Sequence, residues 1–288
     1  TPALRREVCR YVRDNYHVSY RPEDECIITI GVSEALDIAM RALLDPGDEV
    51  LYTEPCFVSY PAEVRMAHGI PVPIETKVED AFALDPAVLR RKITPRTKVL
   101  LLNFPCNPTG AVMPLESLKE VAAIAMEHDL VVITDEIYSE LLYEGEHVSI
   151  ASLPGMRDRT LFLHGFSKAF AMTGWRVGYA CGPREIIDAM MKVHQYAIMC
   201  ASTMAQEAAL EALRNGEKEM LRMRESYCER RNLMVDGLNR IGLDCLLPKG
   251  AFYTFPSVKS TGLSSTEFAE QLLKAEKVAV VPGVAFGA

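Results

Sequence analysis

The residue of this sequence best suited to covalent chemistry is Lys168, which lies among Phe166, Ala169, Phe170 and Met172. Desolvation by such neighbours disfavours the ammonium form and leaves a nucleophilic amine, the requirement of Schiff-base chemistry. Asp135 closes an apolar run, a costly place for a carboxylate without a cation, and Tyr138 follows three residues on, within one helical turn. Gly31-Val32-Ser33 opens a helical segment after another apolar run. Free N–H groups and the positive dipole end make an anion site there, and the Ser33 hydroxyl adds a donor. Asn107 begins Asn107-Pro108-Thr109-Gly110, and Arg176, eight residues beyond Lys168, has the fork that grips phosphate. Each of these residues alone also has an ordinary reading. Ser33 serves as an N-cap, Asn107 as part of a turn, Asp135 as a helix cap, Lys168 as a snorkelling surface lysine and Arg176 as a surface charge.

The elements that must position them alternate in type. Short β-rich runs occupy Cys26–Ile30, Glu49–Thr53, Lys98–Phe104, Leu130–Thr134, Thr160–His164 and Val177–Cys181. Several are continuously apolar, as strands buried on both faces of a parallel sheet are. Helical periodicity fills Ser33–Leu44, Pro61–His68, Asp85–Lys92, Pro114–His128 and Arg184–Cys200, and a first helix is capped by Thr1 with Pro2 in its opening turn. This alternation predicts a three-layer α/β/α fold on a mainly parallel sheet. Residues 1–215 are expected to form this large domain. Over 216–288 the pattern changes: one charged helix spans Gly216–Arg240, followed by strand-like Ala251–Phe255, a helix around Thr266–Glu276 and strand-like Val278–Val281. That segment reads as the linking helix and part of a smaller α/β domain.

Open α/β sheets bind ligands outside the carboxyl ends of their strands. The anion cradle, the Asn, the Asp with its Tyr, the Lys and the Arg would therefore converge on one sheet edge. Together they suit a phosphorylated pyridine aldehyde, which needs a carboxylate for its ring nitrogen and amide and hydroxyl donors for its phenolic oxygen. It also needs an amine for the aldehyde, and cations with N–H groups for the phosphate.

The sequence resembles the class I/II aminotransferases of pyridoxal-phosphate fold type I, nearest the subgroup of bacterial aspartate and aromatic aminotransferases. The most specific element is Ser167-Lys168-Ala169-Phe170-Ala171-Met172-Thr173-Gly174-Trp175-Arg176-Val177-Gly178-Tyr179, supported by Asn107-Pro108-Thr109-Gly110 and Thr134-Asp135-Glu136-Ile137-Tyr138. The resemblance implies pyridoxal 5'-phosphate (PLP) on Lys168, which would also move the proton of the reaction. It implies Asp135 at the pyridine nitrogen, Asn107 and Tyr138 at the phenolic oxygen, and Phe57 stacked on the ring. Gly31, Val32, Ser33, Ser167 and Arg176 would hold the phosphate. Gly165 departs from the pattern, because some relatives carry a phosphate-binding Ser there. The family's carboxyl-terminal Arg for the substrate carboxylate and its amino-terminal Tyr have no counterpart here, and both ends, Thr1 and Ala288, read as cut. The expectation is a chain that binds cofactor and transaminates poorly.

The implied reaction moves an amino group between an L-amino acid and a 2-oxo acid in a cytoplasmic homodimer. The same residues would also serve a PLP-dependent carbon–sulfur β-lyase, or a PLP-binding regulatory module of the kind fused to DNA-binding domains. A net charge of −8 without clustered Lys or Arg argues against nucleic acid as a partner. No run is long enough to span a bilayer. The eight cysteines form no C-x-x-C pair and read as reduced core residues, with no metal site expected.

Overall fold

A computed structural model of the chain describes residues 1–287; Ala288, the last residue of the expected second segment, lies outside them. The helices are α1 (Pro2–Tyr16), α2 (Gly31–Leu43), α3 (Ser59–Met66), α4 (Pro86–Lys92), α5 (Leu115–Glu127), α6 (Phe166–Ala169), α7 (Arg184–Ala197), α8 (Thr203–Asn215), α9 (Glu217–Arg240) and α10 (Ser265–Glu276). The strands are β1 (Cys26–Thr29), β2 (Glu49–Glu54), β3 (Ile70–Glu75), β4 (Thr97–Asn103), β5 (Val131–Asp135), β6 (Thr160–Gly165) and β7 (Gly178–Cys181). They form one sheet in the order β1-β7-β6-β5-β4-β2-β3. Only β7 runs against its neighbours; the β2–β3, β2–β4, β4–β5 and β5–β6 pairs are parallel.

Successive side chains of each strand point to opposite layers. Val99 and Leu101 of β4, Ile133 of β5, Leu161 and Leu163 of β6 and Ala180 of β7 pack with α2, α3 and α7. On the other face, Leu100, Leu102 and Val132 meet α4 and α5, while Cys26, Ile28, Phe162, Tyr179 and Cys181 meet α1 and α8. α1 offers Leu4, Val8, Val12 and Tyr16 at four-residue spacing, with Thr1 accepting the Leu4 amide as N-cap. The expected α/β/α architecture is the one found.

Four local expectations differ. β3 was not expected, since Pro71 and Pro73 interrupt its run; it is an edge strand, where a proline costs no ladder bond. α8 was also missed, because Ala205, Ala209, Leu210 and Leu213 give it only a faint apolar stripe. Ala251–Phe255 and Val278–Val281 are not strands among the described residues. The first meets the chain near Leu141 through one bridge, Leu142–Gly250, and the Ala251 N–H donating to the Leu141 carbonyl, and Val278, Val280 and Val281 are exposed.

A close backbone approach that the site depends on is at Gly178. A Cβ there would stand 2.6 Å from Gly31 C and 2.7 Å from Val32 N, both main-chain atoms that cannot rotate away. Gly178→Ala should therefore lower stability by about 1–3 kcal/mol through overpacking. Gly237→Ala, in an interior turn of α9 with nothing within 4 Å of the new methyl, should raise it by about 0.4–1 kcal/mol. Urea midpoints that move the same way in both variants would contradict this account.

Candidate active site

The carboxyl ends of β4, β5 and β6 border a cavity of about 160 Å³. Its wall includes Val32, Ser33, Phe57, Asn107, Asp135, Tyr138, Ser167, Lys168 and Arg176, all expected from sequence. Gly31 stands directly behind: with φ +71 it opens α2, and a Cβ on it would lie 2.7 Å from Arg176 Nη2. The guanidinium thus covers the bare backbone of the helix entrance and also donates to the Thr173 carbonyl at 3.0 Å. Arg176 is itself in the left-handed region, φ 54.

Asp135 ends β5 and is buried. Tyr60 of α3 donates to its Oδ2 at 2.8 Å, and the Ile137 amide to its Oδ1 at 3.2 Å. The capping role and the cavity role therefore coexist in one carboxylate. Asn103, at the end of β4, ties the neighbourhood together. Its amide donates to the Asp135 carbonyl at 2.8 Å, while its Oδ1 accepts the Asn107 N–H at 3.0 Å. Burial outweighs the donors and pushes the Asp135 carboxyl up to about 6. The opposite holds for Lys168, where burial and then the Arg176 charge lower the amine below its ordinary value, against the pull of Asp135. Its Nζ lies 5.7 Å from the Tyr138 ring centre and 5.4 Å from that of Phe252.

Burial also drives the Tyr138 hydroxyl well above its ordinary pKa, helped by Tyr253, whose hydroxyl is 2.5 Å away. Asn107 is buried, and its Oδ1 has no hydrogen-bond partner. A buried amide left this way is a recognition group waiting for a ligand atom.

Tyr60, Glu63 and Tyr253 of the wall, and Phe252 beside Lys168, are not among the site residues expected from sequence. Tyr60 follows Phe57 by three residues on the same segment, a spacing that could have revealed it. Glu63 lies three further on; burial first, then Asp37 and Asp135, push its carboxyl up to about 8, and its Oε2 has no partner. Phe252 and Tyr253 are more than a hundred residues from Tyr138 in the chain, and nothing local to them signals the contact. Gly165 leaves no room for a side chain: a Cβ would be 2.9 Å from Gly178 Cα and 3.0 Å from the Val177 carbonyl.

The chain belongs to the family described as aminotransferase class I and II, which it matches over residues 1–288. It is 47% identical to the aspartate/prephenate aminotransferase of Thermus thermophilus, aligned over all of this chain and 74% of that protein. It is 44% identical to an aspartate aminotransferase of Pyrococcus abyssi, over 99% of this chain and 74% of the relative. The solved aromatic aminotransferase of Pyrococcus horikoshii superposes with a TM-score of 0.98 at 43% identity, over all of this chain and 78% of that one. The protein is thus an enzyme of amino-group transfer, and these relatives support neither the β-lyase nor the regulatory module. No helix among the described residues is long and apolar enough to cross a membrane.

Because the folded-state pKa of Asp135, about 6, exceeds the ordinary 3.8, the folded protein holds this proton more tightly than the unfolded chain. The contribution to stability is complete below about pH 4 and is lost as pH rises through 6, on the order of 3 kcal/mol. Asp135→Asn should lack that loss, so the two cofactor-free proteins should diverge in urea midpoint across this window. Tyr60→Phe removes a donor to the ionised form and should raise the Asp135 pKa further, read from its carboxyl carbon by NMR. A fall in that pKa would show that Tyr60 does not support the carboxylate.

Proposed function

We propose that this cavity holds pyridoxal 5'-phosphate, and that the protein uses it to exchange an amino group between an L-amino acid and a 2-oxo acid. The observation that carries the reading is the opposed pair in one cavity. Asp135 is a buried carboxylate that seeks a cation, and Lys168 is an amine driven toward its neutral form. The remaining wall fits the same molecule: a buried Asn107 amide beside Tyr138, and a helix entrance at Gly31 with the Arg176 fork across it. When bound, this cofactor supplies an aldehyde that condenses with amines and a pyridinium ring that accepts electrons from the substrate α-carbon.

The protein's own contributions follow from its residues. Asp135 would hold the ring nitrogen protonated, with Tyr60 and the Ile137 amide fixing its plane. Asn107 and Tyr138 would hold the phenolic oxygen, and Phe57 would cover the ring face. The Val32 and Ser33 amides, the Ser33 and Ser167 hydroxyls and Arg176 would hold the phosphate. Nζ of Lys168, neutral in a larger fraction than a solvated lysine, would act as nucleophile. Once released, it would take a proton from the substrate carbon and return it. Residues 1–215 are read as the cofactor domain and 216–288 as the linking helix and part of a second domain. A homodimer is read from the family.

Two experiments test this. Incubation with PLP followed by borohydride should leave a pyridoxyl group on Lys168 by peptide mapping; a label on another lysine removes the assignment. Asp135→Asn should still bind PLP through its phosphate contacts, yet lose at least about a hundredfold in single-turnover amino transfer. Each ~1.4 kcal/mol is tenfold, and charge pairing in a dry site is worth more than one such step. A near-wild-type rate would leave Asp135 with its capping bond alone.

A further inference from the structure

Away from the cavity, three thiols from three elements meet under α1. Cys9 of α1, Cys26 of β1 and Cys181 of β7 are buried, and their Sγ atoms all lie within 4.8 Å of one another. Cys26 and Cys181 face each other across the antiparallel β1–β7 ladder. The Gly182 amide donates to the Glu25 carbonyl at 3.1 Å. That bond makes Cys26–Cys181 a non-hydrogen-bonded pair, the register in which facing side chains come closest. Cys9 descends on this pair from the helix above. Tyr20, in the same core cluster, is buried, and its hydroxyl has no hydrogen-bond partner.

Isolated cysteines in a core act as small hydrophobes. Convergence of three is a different arrangement, and no other such group of His, Cys, Asp or Glu occurs among the described residues. We propose that Cys9, Cys26 and Cys181 bind one thiophilic d10 cation of the zinc class. Zinc–sulfur bonds of ~2.3 Å place the sulfurs of a tetrahedral site ~3.8 Å apart. The thiols already lie inside the separation that rotamer-scale adjustment can close. Each ligating thiol gives up its proton as the sulfur bonds the cation, so binding releases up to three protons and strengthens as pH rises. An ion here would fasten α1 to the sheet edge without touching the cavity.

The test uses the full chain, reduced and metal-free, with the exposed Cys200 and half-buried Cys228 changed to Ser. Titration with cadmium chloride in the absence of oxygen should give an ultraviolet sulfur-to-cadmium band that saturates at one equivalent. Proton release should accompany it, and zinc chloride should reverse it. Cys9→Ala or Cys26→Ala should weaken cadmium binding by about a hundredfold, the upper end of what losing a mere supporting group costs. Cys56→Ala and Cys245→Ala should leave it unchanged. Should a core substitution unfold the chain, the Cys200/Cys228-substituted parent protein answers alone: cadmium must protect Cys9, Cys26 and Cys181 from alkylation and leave the other cysteines reactive on mild denaturation. Absence of the band, its survival without Cys9, or protection of other cysteines overturns the proposal. A Cys26–Cys181 disulfide in protein isolated without reductant also overturns it, by making the cluster a redox pair.

Discussion

Burial of the Asp135 carboxylate is the constraint around which this site is organised. It stands at the end of β5, the middle strand of the seven-stranded sheet, with layers on both faces. An ion taken out of water at such a place costs several kcal/mol unless donors or an opposite charge answer it. The fold supplies two donors to the carboxylate, Tyr60 from α3 and the Ile137 amide from the turn that follows, while Asn103 from β4 anchors the Asp135 carbonyl. They do not cancel the burial, since the carboxyl still sits at about 6. What remains is an appetite for positive charge pointed into a cavity, and a protonated ring nitrogen is a cation of the right shape to satisfy it.

The phosphate end of the proposed site rests on a steric constraint instead. Gly31, Gly165 and Gly178 interlock so closely that a methyl on any of them would meet backbone or the Arg176 guanidinium within 3 Å. Removing three side chains lets β6, β7 and the start of α2 press together. The α2 entrance then faces the cavity as bare amides, and Arg176 can lie across it. Gly165 therefore does more than lack the serine found in some relatives. Its neighbours leave no volume for one, so hydroxyl donors must come from Ser33 and Ser167 on either side.

Most of this was legible in the sequence, and the reasons are specific. Asn107, Asp135 and Lys168 each follow an apolar run, and a parallel sheet carries the ends of its strands to one edge. Reading the runs therefore located the site. Phe57 was found by resemblance, whereas Tyr60, one helical turn later, was not singled out. Phe252 and Tyr253 were illegible for a different reason. They reach Tyr138 by ring contacts and a hydroxyl pair across more than a hundred residues, long-range contacts that no periodicity encodes. The same limit explains the two segments wrongly expected as strands. Alternating apolar residues suit a ladder, but a ladder needs a partner, and only tertiary structure decides whether one arrives.

Glu63 shows how far the electrostatics of the cavity depart from a simple opposition of charges. Its carboxyl, held up to about 8 by burial and by two nearby acids, is mostly protonated at neutral pH. It therefore adds no full negative charge beside Asp135, whose own ionisation a second carboxylate would suppress. Two acids lie in one wall, and burial pushes the second further up than the first, so only Asp135 is charged over most of the neutral range. That separation leaves a single carboxylate to face a single cationic ring nitrogen. It requires Glu63 to stay shielded from solvent by the same helix, α3, that delivers Tyr60 to Asp135. One short helix thus both charges the site and limits its charge.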